Sequence, residues 1–333
     1  MNTVLKSFVI LSMLIIALSA QAQSAADRLY MQGQKLQLTR TISAQNQAIG
    51  KFSAAKRAYD SREKKALCDR QIQICKQNIK DLDSKPDPKP KPKSKAKPET
   101  YTRKVEIFYA NGVSFEMVRV EGGTFTMGAT AEQVSDAFDW EKPTHQVTLF
   151  SYSIGKTEVT QALWQAVMGT NPSRFKGSNL PVERVSWEDC QIFIRKLNAI
   201  TGKNFRLPSE AEWEFAARGG NKSRGFKYSG SNTLSNVAWY DDNSADKTHP
   251  VATKASNELG IYDMSGNVWE WCSDWDSSYT SASQTNPTGP ISGSHRVFRG
   301  GSWVNIARGC RVSLRNSITP AGRNDVLGLR LAL

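Results

Sequence analysis

Cys68, Ile72, Cys75 and Ile79 recur at i, i+4, i+7 and i+11, the spacing of one face of an α-helix. The residues around them are rich in Ala, Gln, Lys, Arg and Ile, and no proline precedes position 86. A helical segment is therefore predicted over 23–84. Ala48, Phe52 and Ala55 give a pattern similar to the second helix of a tetratricopeptide hairpin, where small residues let helices approach. A plain helical hairpin or a coiled-coil stalk satisfies it equally. Seven residues place Cys68 and Cys75 roughly 10 Å apart along a straight helix. That is too far for a disulfide, so both are read as small apolar packing residues.

From residue 101 the pattern changes. Short β-branched runs, such as Glu116 to Val120 and Gln146 to Phe150, alternate with Gly- and Asn-rich turns and predict strands. Two helices are predicted among them. One starts at Thr157 and stops at Gly169, and the other spans 187–200 and ends at Thr201-Gly202. A third start is marked by Ser209, a capping residue, with Glu212 placed to close a capping box. The reading is an α+β domain over 101–333 with much irregular structure, preceded by the helical segment.

Between the two lies KPDPKPKPKSKAKPE, a Lys/Pro-rich linker within 85–100. Alternating proline and like charge favour extended backbone. The first residues, 1–22, carry Lys6, an apolar run and Ala20-Gln21-Ala22, which is the layout of a secretory signal peptide. The run holds no cysteine, so a lipoprotein anchor is not expected. These features predict a soluble, exported protein, periplasmic or extracellular, with no transmembrane anchor in the mature chain.

The chain has 333 residues and a formal charge of +13. Residues 23–100 hold 18 Lys and Arg against 8 Asp and Glu, so the basicity sits ahead of the large domain. It is read as a solvated linker, with docking on an acidic surface as the alternative. No aromatic-interleaved basic motif supports nucleic-acid binding. The three histidines, His145, His249 and His295, stand at no ligand spacing, and no GxSxG, Walker or HExxH motif occurs. Five cysteines is an odd number, so at least one lacks an intrachain partner.

Eight stretches in order then become recognisable: VEGGTFTMG (120–128), HQVTL (145–149), KTEVTQALW (156–164), PVERVSWEDC (181–190), RLPSEAEWEFAARGG (206–220), NELGIYDMSGNVWEWCSDW (257–275), RVFRGGSW (296–303) and LGLRLAL (327–333). Over about 105–333 the chain resembles the formylglycine-generating enzyme, or sulfatase-modifying factor, family. The resemblance implies a variant of the C-type-lectin-like fold. It also implies calcium on the turn from 263 to 270, held by the side chains of Asp263 and Glu270 and by carbonyls near Met264, Gly266 and Val268. Asp263 stands where the family has asparagine and keeps an oxygen donor. Hard cations suit such a curled, oxygen-rich loop. The alternative is a hydrogen-bonded turn with Trp269 and Trp271 in the core. A second family calcium site would fall near Asn236 and Val237, but its downstream ligands are not recognisable.

The family's oxidases convert a substrate cysteine to formylglycine with two cysteines three and eight residues beyond the serine of the RGGS turn, holding Cu(I). Here the serine is Ser302. Cys310 stands eight further on, but Asn305 stands three further on. A soft monovalent ion needs thiolates, and an amide oxygen is a poor substitute. Cys310, Ser302 and Trp269, with Asn305, form the candidate catalytic group. Cys310 has other readings: a disulfide with Cys272 or Cys190, or a buried thiol. The iron-dependent sulfoxide synthases that carry a related domain use a histidine-rich site, which this chain does not offer. Two functions follow. One is a binding, scaffold or envelope-accessory module without the copper pair, whose partner is a protein or peptide, such as a sulfatase or an envelope component. The other is a formylglycine-generating oxidase using copper.

Overall fold

The computed structural model describes residues 42–60, 62–83 and 105–333, with a few positions between 25 and 33. The signal-peptide reading of 1–22 and the linker at 85–100 lie outside the described residues. The chain divides into two compact units, Met1–Glu99 and Thr100–Leu333. Among the described residues no helix is long and apolar enough to cross a membrane.

In the first unit, α1 (Ile42–Ala58) and α2 (Arg62–Asp83) pack side by side. Cys68 and Cys75 are fully buried in two separate clusters, Cys68 with Ala55 and Tyr59, Cys75 with Ala48 and Phe52. Neither forms a disulfide, and burial in these clusters agrees with the small apolar role read from the helical spacing.

The second unit builds three sheets. Strands β1 (Val105–Ala110), β2 (Val113–Val120) and β5 (Tyr152–Gly155) form an antiparallel sheet in the order β1-β2-β5. Strands β3 (Gly123–Met127) and β4 (His145–Leu149) pair antiparallel, and β7 (Gln284–Thr285) runs parallel to β4. Strands β6 (Trp269–Trp275), β8 (Arg296–Arg299), β9 (Arg315–Ile318) and β10 (Leu327–Leu329) form a mixed sheet in the order β10-β6-β8-β9. Long segments between them are irregular.

Three helices fill the gaps. The first, α3 (Gln161–Met168), begins four residues later than the pattern predicts. Thr160 takes the cap position with extended backbone and accepts the Leu163 N–H, so Thr157 to Val159 lie outside the helix. Helix α4 (Trp187–Thr201) runs from a Ser186–Asp189 capping box to Gly202. Helix α5 (Glu210–Ala217) carries the predicted Ser209–Glu212 capping box.

Two large apolar clusters form the core. One joins α3 and α4 to β6 through Trp164, Phe193, Leu197, Trp269 and Trp271. The other sets Trp213 and Phe215 of α5 against Val118, Val147 and Cys272. A third, smaller cluster gathers Tyr228, Leu234, Val237, Ala238 and Cys310.

Candidate functional site

The RGGS turn follows β8, and ion pairing fixes its start. Arg299 is fully buried, paired with Glu214, and donates to the carbonyls of Val312 and Ser313. That staples the end of β8 to the segment after Cys310. Gly301 then has φ +76°, and a Cβ there would lie 2.6 Å from the Gly309 carbonyl and 2.8 Å from Cys310 Sγ. Only glycine lets the turn press this closely on 309–310.

Three of the four candidate residues come together at this contact. The Ser302 hydroxyl donates to Asn305 Oδ1 at 2.7 Å, and the Asn305 N–H returns to the Ser302 carbonyl at 3.0 Å. Cys310 is fully buried and its carbonyl accepts the Ser265 hydroxyl at 2.8 Å. Burial pushes the Cys310 thiol up to about 12, against a hydrogen bond from the Ser302 backbone that works the other way. Trp269 belongs to the first core cluster, edge-on to Phe298 with centroids 5.0 Å apart. Among the described residues no hydrogen bond or ring contact ties it to the other three.

This arrangement does not fit Cu(I). Burial disfavours the Cys310 thiolate that Cu(I) would need, and the Asn305 amide oxygen already accepts from Ser302. The disulfide readings fall too: Cys190, Cys272 and Cys310 are all free and lie one in each core cluster. Burial pushes the Cys190 and Cys272 thiols well above their ordinary value.

The 263–270 turn is tightly curled. Asp263, Gly266 and Asn267 all have φ near +60° to +81°, and a Cβ on Gly266 would lie 2.2 Å from the Trp239 carbonyl. Asp263 is buried and accepts the Ala252 N–H at 2.7 Å. Glu270 is buried and engaged by Arg330 at 2.5 and 2.8 Å and by the Trp213 indole at 2.6 Å. Sequence reasoning missed a third acid, Glu158, from the stretch before α3. It is buried and accepts from Asn267 Nδ2 and the Val268 N–H.

Burial, then the charges of Asp263 and Glu270, push the Glu158 carboxyl well above the usual range. Burial pushes Asp263 up to about 6, with Glu270 adding to it. Three buried carboxylates thus share one guanidinium, that of Arg330. Fully ionised they leave two negative charges uncompensated, which matches a divalent cation in sign and size. Among the described residues no three His, Cys, Asp or Glu side chains form a metal cage by themselves, so an ion here would draw on backbone carbonyls as well. Asn236 and Val237 sit in the 3₁₀ turn at Leu234–Asn236 and just beyond it. Val237 packs in the Cys310 cluster and the Asn236 carbonyl accepts the Ala255 N–H.

The model of the family described as sulfatase-modifying factor enzyme 1-like domain matches residues 109–333. A protein of Paenibacillus barcinonensis named chaperone protein LppX is 37% identical over 66% of this chain and 89% of its own length. The formylglycine-generating enzyme of Streptomyces coelicolor is 32% identical over 65% of this chain and 88% of its own. Among solved structures, Treponema denticola variable protein 1 superposes with a TM-score of 0.62 at 36% identity, covering 69% of this chain and 99% of that one. PvdO from Pseudomonas aeruginosa superposes with a TM-score of 0.59 at 27% identity, covering 69% and 99%. The α+β architecture, rich in irregular segments, is the C-type-lectin-like one that the sequence motifs imply.

Proposed function

The chain belongs to the sulfatase-modifying factor family, and from that premise we propose that it is a non-oxidase member: a protein-binding module acting in the cell envelope or outside the cell. One observation carries this. The position that must supply the second copper thiolate is Asn305, and its amide is closed onto Ser302 while Cys310 is buried and protonated. The family's copper-dependent oxidation of a substrate thiol needs an accessible pair of soft ligands. A relative named as a chaperone protein supports a role in holding other proteins rather than oxidising them. The signal-like residues 1–22 support export. Helices α1 and α2 are the natural docking element, since the globular head lies at the other end of the charged linker in sequence. Cu(I) titration of the purified protein with a competing chelator tests the reading. No stoichiometric high-affinity site is expected, and tight one-to-one binding abolished by Cys310→Ser would overturn it.

A second proposal concerns stability. We propose that the 263–270 turn binds calcium through Asp263 and neighbouring carbonyls, because Glu158, Asp263 and Glu270, if all ionised, would exceed the charge of Arg330 by two, and the raised Glu158 and Asp263 carboxyls mark a repulsion that a cation would relieve. Calcium at a hundredfold its dissociation constant stabilises the folded state by about 2.7 kcal/mol. Thermal melting should therefore rise with calcium over EDTA, and Asp263→Ala should remove the difference. Identical melting in both conditions argues against an ion there.

A further inference from the structure

The face around the segment leading into Cys310 carries an apolar surface that the buried thiol does not use. Trp140 is 54% exposed and lies flat on Phe138, with centroids 4.4 Å apart and planes within 6°. The Arg308 guanidinium lies 3.6 Å from the centre of the Phe138 ring. On the same segment as Arg308, Ile306 is 62% exposed and Val304 is 44% exposed. Single exposed apolar residues are ordinary on a protein surface. A Trp–Phe–Arg stack whose arginine comes from a segment with two further exposed aliphatics has the composition of an interface hot spot.

The stack is held rigidly from below. Trp140 occupies the 3₁₀ turn Asp139–Glu141, and the adjoining Glu141 side chain is fully buried. Glu141 accepts two bonds from Arg311 at 2.6 and 2.8 Å, one from the Ser313 hydroxyl at 2.6 Å and one from the Phe138 N–H at 2.9 Å. Burial opposes its charge, yet these bonds hold the carboxyl below the usual range. Desolvating such a pair is costly. What the clamp visibly achieves is a turn locked with its tryptophan in solvent. A preorganised aromatic loses little freedom when a partner arrives.

The charge at the patch indicates the partner. Arg308 Nε donates to the Asp136 carbonyl at 2.8 Å, and among the described residues Arg308 makes no ion pair. Its exposed guanidinium suits a carboxylate. We propose that Phe138, Trp140, Val304, Ile306 and Arg308 form a docking face for a peptide segment of a partner protein in which an acidic residue adjoins apolar or aromatic ones. This rests on the binding-module reading and adds the face and the chemistry it selects. It also departs from a sulfatase-type Cys-x-Pro-x-Arg segment, whose arginine would meet Arg308 with like charge.

The test selects phage-displayed random dodecapeptides on the purified full chain and measures affinities of the enriched peptides. Enriched sequences should place Asp or Glu beside Trp, Phe or Leu. Trp140→Ala and Arg308→Glu should each weaken the best peptide about tenfold or more. Tyr109→Ala, at another exposed aromatic on β1, should leave it unchanged. Unaltered melting of the variants separates lost contact from lost fold. No enrichment, a different composition, indifference to both variants, or a dimer that buries Trp140 would overturn the proposal. Peptides that bind while ignoring both variants would leave the binding-module reading standing, whereas oxidation of a substrate thiol would defeat that reading itself.

Discussion

Glu183 shows how one buried group sets a measurable property. It is fully buried and its Oε1 accepts the Phe175 N–H at 2.9 Å, while Oε2 has no partner. Burial pushes its carboxyl up to about 7. The native state therefore keeps a proton that the unfolded chain loses near the ordinary glutamate value of about 4.3. Between those values the unfolded state binds fewer protons, so this group lowers stability as pH rises toward 7, with the full penalty above it. Glu183→Gln removes the titration while keeping the acceptor. Denaturant unfolding at pH 5 and pH 8 should show the variant gaining on wild type at the higher pH by on the order of 2 kcal/mol. Equal differences at both values would refute the assignment.

At the scale of elements, the turn between β8 and the Cys310 segment is a demanding contact. Gly301→Ala places a Cβ against the Gly309 carbonyl and Cys310 Sγ at a positive φ. A cost on the order of 3 kcal/mol is expected from chemical denaturation, against well under 1 kcal/mol if the segment can move aside. Glycine pairs marked this turn in the sequence, but the closeness of the contact came from chain segments that only the fold brings together.

Local signals were legible where they were chemical. The cap at Ser209 and the stops at Gly169 and Gly202 follow from local residue geometry within a few positions, whereas the Ser186 cap emerges only in the structure. Helix α3 was misplaced because Glu158 and Val159 look helical in isolation. Their backbone is taken instead by β10, where the Val159 N–H bonds the Leu329 carbonyl. The acid cluster was half legible. Asp263 and Glu270 stand on one motif, whereas Glu158 and Arg330 arrive from sixty or more residues away on either side, with no local pattern to announce them.

For the whole molecule, the second unit closes its own sheets. The C-terminal Leu333 and Leu331 bond back to β5 at Ser153 and Gly155, and Ala332 bonds Arg206. Those contacts tie the end of the domain near its start without drawing on α1 or α2. A fragment of residues 101–333 should melt within a few degrees of the full chain; a large drop would show that the head leans on the helical unit. The Trp140 face was the least legible feature, since its exposed stack joins residues 138–140 to Arg308 and nothing in either stretch alone marks a patch.

The proposed loss of the family's thiol oxidation rests on a single buried sulfur and an amide already engaged by Ser302, a poor seat for Cu(I). Incubating the full chain with Cu(I), oxygen, a thiol reductant and a Cys-x-Pro-x-Arg peptide, then reading the peptide by mass and by aldehyde-reactive probe, addresses it directly. The peptide should be recovered with its cysteine intact and no aldehyde. Formylglycine produced in repeated turnovers, and lost in Cys310→Ser, would contradict the account.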